Sequence, residues 1–219
     1  MRKYAVVVAG GSGTRMQSSL PKQFIELLGT PILMHTLKAF DFDDIELILV
    51  LPQDQINHWK QLCIEHQFKV LHKVVEGGET RFHSVQNGLN AIEGEGIVAI
   101  HDGVRPLITK DIINACYRLA AEKGNAIVSV PLKDSIREYT SAHNRTVDRK
   151  NYRLIQTPQT FQVKLIKEAF TNGYKDTFTD DASVLEAMGS TIHLIEGDYR
   201  NIKITTPEDL KVAKTFLLA

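Results

Sequence analysis

Ala5-Val6-Val7-Val8-Ala9-Gly10-Gly11-Ser12-Gly13-Thr14-Arg15-Met16 carries a short apolar run straight into a glycine-rich turn. The apolar part, Tyr4–Ala9, reads as a strand. A glycine-rich turn at the carboxyl end of a strand lets backbone N–H groups approach a phosphate closely, because no Cβ stands in the way. Arg15, and Lys22 within the following Leu20-Pro21-Lys22-Gln23, bring two fixed cations to the loop. Cations in that place suit a site that must neutralise a triphosphate and its developing charge. A glycine-rich surface turn with solvated cations is the plainer alternative. A dinucleotide fingerprint would need a third glycine where Met16 stands, and an acid about 20 residues later. A P-loop would need Gly-Lys followed by Ser or Thr after four spacer residues, which is absent.

Working outward, further apolar runs at Ile45–Leu51, Val70–Val75, Ile97–His101 and Ala126–Val130 predict strands. Amphipathic stretches predict helices at Pro31–Phe40, Gln53–His66, Arg81–Ala91, Lys110–Lys123, Val163–Asn172, Asp180–Met188 and Pro207–Leu218. Thr80, Thr109, Thr179 and Thr206 stand where helix starts need a capping oxygen. This alternation implies parallel strands joined by crossover helices, hence an α/β fold. Lys133–Arg149 breaks the rhythm: it is polar, rich in cations and has little to bury, so it reads as an excursion from the main body.

The chain has 219 residues, of which 43% are hydrophobic and 24% charged, enough for a core in one α/β unit spanning 1–219. Lys+Arg and Asp+Glu balance at 26 each, which argues against the global basic field that draws proteins to nucleic acid or anionic membrane. The absence of a signal-like start or a long apolar run gives a cytoplasmic expectation. The two cysteines, Cys63 and Cys116, have no metal or redox spacing and read as idle thiols.

Three more clusters carry chemistry. Gly77-Gly78-Glu79-Thr80-Arg81-Phe82-His83-Ser84 again joins a strand end to a helix, and its small residues with Ser84 could read the edge of a base. In His101-Asp102-Gly103-Val104-Arg105-Pro106 an apolar strand ends in an acid, at the sheet edge where ligands bind. Asp102 is there a candidate Mg²⁺ ligand, or else a structural turn cap, and His101 reads as packed rather than as a base. In Asn201-Ile202-Lys203-Ile204-Thr205, alternation predicts a short strand with Asn201, Lys203 and Thr205 on one face. Lys203 then either reaches the pocket or stays in solvent.

These clusters in this order, with Thr146-Val147-Asp148-Arg149 and Thr157-Pro158-Gln159, resemble the 2-C-methyl-D-erythritol 4-phosphate cytidylyltransferases, CTP-using enzymes of the non-mevalonate isoprenoid pathway. The resemblance spans nearly the whole chain. It implies a Rossmann-like nucleotidyltransferase fold and a homodimer clasped by a β-arm at about Lys133–Arg149. It further implies that Ala9, Gly10, Gly11, Gly78 and Ser84 hold CTP, that Arg15, Lys22 and Lys203 serve as catalytic cations around its phosphates, and that Asp102 binds Mg²⁺. Arg105, Ser135, Arg149, Thr157 and Thr179 match positions used near the acceptor or the arm. Ser135 stands where a threonine is expected after Asp134, and Gly103-Val104 replaces the usual small pair after the metal-binding aspartate.

The chemistry agrees with the resemblance. A phosphate monoester has a second pKa of about 6, so the acceptor is mostly dianionic at neutral pH and needs no general base. Alignment and charge cancellation at the α-phosphorus suffice, and no nucleophile-base pair stands out in this sequence. A similar family, the ribitol 5-phosphate cytidylyltransferases, is the alternative. A nicotinamide-dependent oxidoreductase and a non-catalytic nucleotide-binding module are more distant ones.

Overall fold

The computed structural model describes residues 1–11, 16 and 20–218, and Arg15 with its neighbours Ser12, Gly13 and Thr14 lies outside them. The opening apolar run forms β1 (Lys3–Val8). It is followed by a small antiparallel pair, β2 (Glu26–Leu27) and β3 (Thr30–Pro31), and by helix α1 (Ile32–Ala39). Strands and helices then alternate as β4 (Glu46–Leu51), α2 (Gln53–Glu65), β5 (Lys73–Glu76), α3 (Arg81–Asn90), β6 (Ile97–Asp102), α4 (Lys110–Lys123) and β7 (Asn125–Pro131). The chain continues through the exposed hairpin β8 (Arg137–Tyr139) and β9 (Asn144–Thr146) into the long β10 (Arg153–Gln162). Helices α5 (Val163–Thr171) and α6 (Asp181–Glu186), strand β11 (Leu194–Glu196) and helix α7 (Pro207–Leu218) complete it.

Seven strands form one sheet in the order β11-β7-β10-β6-β1-β4-β5. Every neighbouring pair is parallel except those made by β10, which runs antiparallel to both β6 and β7. The chain moves from β1 to β4 and β5 on one side, then returns to place β6 on the other. At such a reversal the crossover connections diverge and leave a crevice at the carboxyl edge. Val8 pairs with Val50 on one side and with Asp102 on the other, so the glycine turn and the acid of the third cluster leave the sheet side by side.

Side-chain alternation along β1 explains its unbroken apolar composition. Ala5 and Val7 face a core shared with Leu33 and Leu37 of α1, Trp59 of α2, and Ile113 and Tyr117 of α4. Tyr4, Val6 and Val8 face the opposite core, with Val85 and Leu89 of α3, Ile166 and Phe170 of α5, and Leu185 of α6. A strand covered on both faces has no polar side to present, which is why period-2 patterning is missing there.

Most predicted elements form within a residue or two of their expected bounds, and Thr80 and Thr109 cap α3 and α4 through side-chain oxygens. Four expectations are corrected. The Val70–Val75 run pairs only from Lys73, because His72 instead places Nδ1 on the Val70 carbonyl and Nε2 on the Trp59 indole. Asp180, not Thr179, caps α6, its carboxylate accepting from the Ser183 N–H. No strand forms across Asn201–Thr205: among the described residues its one backbone–backbone hydrogen bond to a distant segment is Ile204 N–H to the Val104 carbonyl, and Asn201 is wholly buried rather than facing the pocket. Strands β10 and β11 were not anticipated. Among the described residues, no helix is long and apolar enough to cross a membrane. Burial pushes the Cys63 thiol up to about 11 and the Cys116 thiol to about 12, consistent with inert sulfhydryls.

Helix α3 lies tight on the sheet through Gly88. A Cβ there would sit 2.5 Å from Val6 Cγ1 and 2.9 Å from Val50 Cγ2, and both are stiff β-branched side chains. Gly88→Ala should therefore lower stability by about 1–3 kcal/mol despite the better helix propensity of alanine. Urea denaturation checks this, and an unchanged or raised midpoint would contradict it.

Candidate active site

A cleft of about 440 Å³ opens at the carboxyl ends of β1, β4 and β6. Its floor is the turn after β1. Ala9 N–H still donates to Val50 (3.0 Å), and Gln23 Nε2 returns to the Ala9 carbonyl at 2.8 Å, so the first turn residue is held from both sides before Gly10 and Gly11. Gln23 is fully buried, and its amide also donates to Gln55 Oε1 at the start of α2. The other wall is the turn between β5 and α3. There Gly78 donates its N–H to Ser84 Oγ (3.1 Å), one turn into α3. A Cβ on Gly78 would lie 2.4 Å from His83 Cβ, so only glycine lets this loop fold back on its own helix.

Asp102, at the end of β6, is the electrostatic centre. Its Oδ2 lies 3.1 Å from Arg105 Nε and 3.2 Å from Lys203 Nζ, and its Oδ1 lies 3.8 Å from Arg81 Nε. Burial alone would push this carboxyl up, but Arg81, Lys203 and Arg105 outweigh it and hold the group well below the usual carboxylate range. Asp102 is therefore ionised at any physiological pH. Arg81 also makes a bidentate pair with Asp181, at 2.8 and 2.7 Å, and Asp181 is almost completely buried at the start of α6. Paired fork to fork with Asp181, the Arg81 guanidinium is aimed and cannot swing freely.

Beneath Asp102 lies a neutral histidine. His101 is fully buried, and its pKa is pushed down to about 4, first by burial. Its Nε2 meets the Arg105 carbonyl and its Nδ1 meets Thr157 Oγ1, both at 3.1 Å. It is a packed residue with no opening to the cleft, as its sequence context suggests.

The fold thus brings Ala9, Gly10, Gly11, Lys22, Gly78, Ser84, Asp102 and Lys203 to one cleft. Arg15 lies outside the described residues, and among the described ones Arg105, Thr157, Thr179, Ser135 and Arg149 do not line this cleft. Arg105 sits behind Asp102, with Nη1 on the Asn201 carbonyl at 2.8 Å. Thr157 is buried beneath the Asp102 backbone, accepting its N–H at 3.1 Å, and so does not line the cleft. Thr179 lines a separate recess of about 110 Å³ on the far side of Arg81. Ser135 and Arg149 lie on or beside the exposed arm, where Arg149 Nη1 donates to the Lys133 carbonyl. Arg81, Gln23 and Thr80 line the cleft although the motifs assigned them no ligand role. Arg81 stands inside the quoted second cluster, so its position was legible, but its partner Asp181 is 100 residues away.

Among the described residues, no group of three or more His, Cys, Asp or Glu could hold a metal ion. A hard cation such as Mg²⁺ needs no such group when phosphates and water complete its shell, and one or two carboxylates suffice. Asp102, ionised and at the cleft, fits that donor requirement as a sole protein ligand.

Three comparisons bear on this cleft. The family model described as 2-C-methyl-D-erythritol 4-phosphate cytidylyltransferase matches residues 4–219. A protein of that name from Bacteroides thetaiotaomicron is 51% identical over 219 residues, covering 99% of this chain and 100% of its own length. One from Bacteroides fragilis is 48% identical with 99% of this chain covered and 100% of its own. The crystal structure of 4-diphosphocytidyl-2C-methyl-D-erythritol synthase from Anaerococcus prevotii superposes with a TM-score of 0.86 at 29% identity, covering 100% of this chain and 96% of that one. The 2-C-methyl-D-erythritol 4-phosphate cytidylyltransferase structure from Thermus thermophilus gives 0.82 at 29% identity, with 100% of both chains covered.

Removing one member of a buried ion pair leaves the other uncompensated, at a cost of about 3–5 kcal/mol in fully buried cases. Arg81 keeps some solvent contact, so Asp181→Ala should cost about 3 kcal/mol, near the lower end of that range. Thermal or urea unfolding measures it, and a loss below about 1 kcal/mol would show the pair to behave like a surface contact.

Proposed function

Because this chain belongs to the 2-C-methyl-D-erythritol 4-phosphate cytidylyltransferase family, we propose that the cleft transfers CMP from CTP to 2-C-methyl-D-erythritol 4-phosphate, releasing pyrophosphate. The product is 4-diphosphocytidyl-2-C-methyl-D-erythritol. The observation that carries the residue assignment is the convergence of the glycine turn, Lys22, Gly78, Ser84, Asp102 and Lys203 on a single cleft at the β1 reversal. The family model and the relatives above are all described by the methylerythritol acceptor, which favours it over ribitol 5-phosphate.

In this reading the backbone amides of Gly10 and Gly11 lie along the triphosphate, Ala9, whose own N–H is held by Val50, lines the cleft beside them, and the Gly78–Ser84 turn holds the base. Lys22 and Lys203, and by the family resemblance Arg15, supply positive charge where it grows at the α-phosphorus, with Arg81 held by Asp181 across Asp102 from Lys203. Asp102 would hold a Mg²⁺ together with the phosphates of the nucleotide. When bound, that ion neutralises phosphate charge. The acceptor dianion is then the nucleophile without assistance from a base, which accords with the buried, neutral state of His101. Ser135, Arg149 and Thr179 serve the acceptor side, and Arg105 and Thr157, behind and beneath Asp102, act on it through that carboxylate. We read the chain as a single catalytic unit, 1–219, that works as a homodimer. The arm around 133–149 has no core of its own, and its hairpin is exposed throughout. A two-fold partner would cover it and receive Arg149 in the neighbouring cleft.

Pyrophosphate release with CTP, Mg²⁺ and each polyol phosphate in turn tests the acceptor. Faster turnover with ribitol 5-phosphate would overturn it. Lys22→Ala should lower kcat by about 10²–10³ while the fold persists, if its charge acts on the transition state. A raised KM for CTP at unchanged kcat would instead assign it to uniform binding. For the arm, Lys22→Ala and Arg149→Ala chains are unfolded and refolded together in equal amounts. About half of the dimers are then mixed, and each has one whole site, so activity should return to about a quarter of wild type. No recovery despite demonstrated subunit exchange would place Arg149 in the cleft of its own chain.

A further inference from the structure

We infer that His101 is a positioning residue: its imidazole clamps both ends of the Asp102–Arg105 turn and thereby fixes where the Asp102 carboxylate and the Arg105 guanidinium point. The turn already carries one internal hydrogen bond, from Arg105 N–H to the Asp102 carbonyl at 3.1 Å. The imidazole adds a tie at each end. A carbonyl can only accept, so the ring nitrogen facing Arg105 O, Nε2, carries the proton. In the neutral ring Nδ1 is then the acceptor, and the hydroxyl of Thr157 must donate to it. Thr157 Oγ1 in turn accepts the Asp102 N–H. The result is a chain of fixed polarity, from Asp102 N–H through the Thr157 hydroxyl to Nδ1, and from Nε2–H to the Arg105 carbonyl.

Space-filling does not account for this histidine. The ring is fully buried against Phe40, with centroids 5.0 Å apart, a setting that an apolar side chain would occupy without any polar group to desolvate. Instead each ring nitrogen is paired, and each pairing ends on the backbone of Asp102 or Arg105. The lever arm is short. Arg105 Nε reaches Asp102 Oδ2 at 3.1 Å within the same turn, so a backbone shift at either end changes the carboxylate that Lys203 also contacts. Thr157 then acts as the middle link, which explains why a residue of an acceptor-like motif lies below the cleft and not in it.

What the turn does in catalysis rests on the cytidylyl-transfer reading, whereas the hydrogen-bond chain does not. Two measurements keep them apart. In protein labelled with ¹⁵N-histidine, long-range ¹H–¹⁵N correlation should show His101 as the Nε2–H tautomer without any substrate present. An Nδ1–H tautomer would overturn the inference. In steady-state assays, Thr157→Val and His101→Gln should each lower kcat by about 10–100-fold, as outer contacts to site residues do, with KM for CTP changed less than about twofold. Thr157→Ser should recover most of the activity lost in Thr157→Val, because it keeps the hydroxyl. Since both residues belong to one chain, the double variant should lose no more than the worse single variant. Additive losses, or undiminished kcat in Thr157→Val, would overturn the inference. A wild-type protein that releases no pyrophosphate would sink the reaction assignment alone, leaving the tautomer to decide the clamp.

Discussion

The structure turns on a carboxylate held among cations from three other places in the chain. Asp102 ends a central strand, Arg105 follows in its turn, Arg81 opens α3, and Lys203 comes from the segment before α7. Burying an ionised carboxyl is costly unless it is paired, and burying Arg105 beside it is costly for the same reason. Together they make each other tolerable. Because Arg81 and Lys203 are contributed from either side, the arrangement also ties the α3 and α7 halves of the cleft to the centre of the sheet.

Positive charge survives this pairing. Among the described residues lining the cleft are Lys22, Arg81 and Lys203 against Glu79 and Asp102. A polyphosphate entering such a crevice meets cations already oriented, and little reorganisation is needed as charge develops. Asp181 contributes here from a distance. It holds Arg81 in a fork and prevents it from collapsing wholly onto Asp102, which lies 3.8 Å from Arg81 Nε.

Polar residues in the middle of β10 serve the same end. Gln156, Thr157 and Gln159 are buried in a central strand, a place that normally disfavours them, and each has a specific partner. Gln159 donates to Asp180 and accepts from Ala182 N–H, setting the start of α6 and hence Asp181. Gln156 and the Thr157 carbonyl receive the Asn201 amide, which anchors the approach to Lys203. The pairing register of β10 with β7 shifts across this same stretch, between Ile155 and Gln159.

The sequence by itself determined the alternating elements and the helix-flanked sheet, and its resemblance to a known family implied that the glycine turn, Gly78, Ser84, Asp102 and Lys203 share one chemistry. Local periodicity records which face of an element is buried, and a strand that ends in Gly or Asp marks a ligand edge, so the elements and the edge need no distant information, whereas the shared site rested on motifs that recur in a known family. Only the tertiary structure decided that β10 enters between β6 and β7 antiparallel, because buried glutamines and threonines erase the apolar pattern that would announce a strand. It alone joined Arg81 to Asp181, buried Asn201 where alternation placed it at the pocket, and set Thr157 beneath Asp102. Each of these depends on a hydrogen-bond or ion-pair partner far along the chain, and a pattern read over a few residues carries no record of what lies across the sheet.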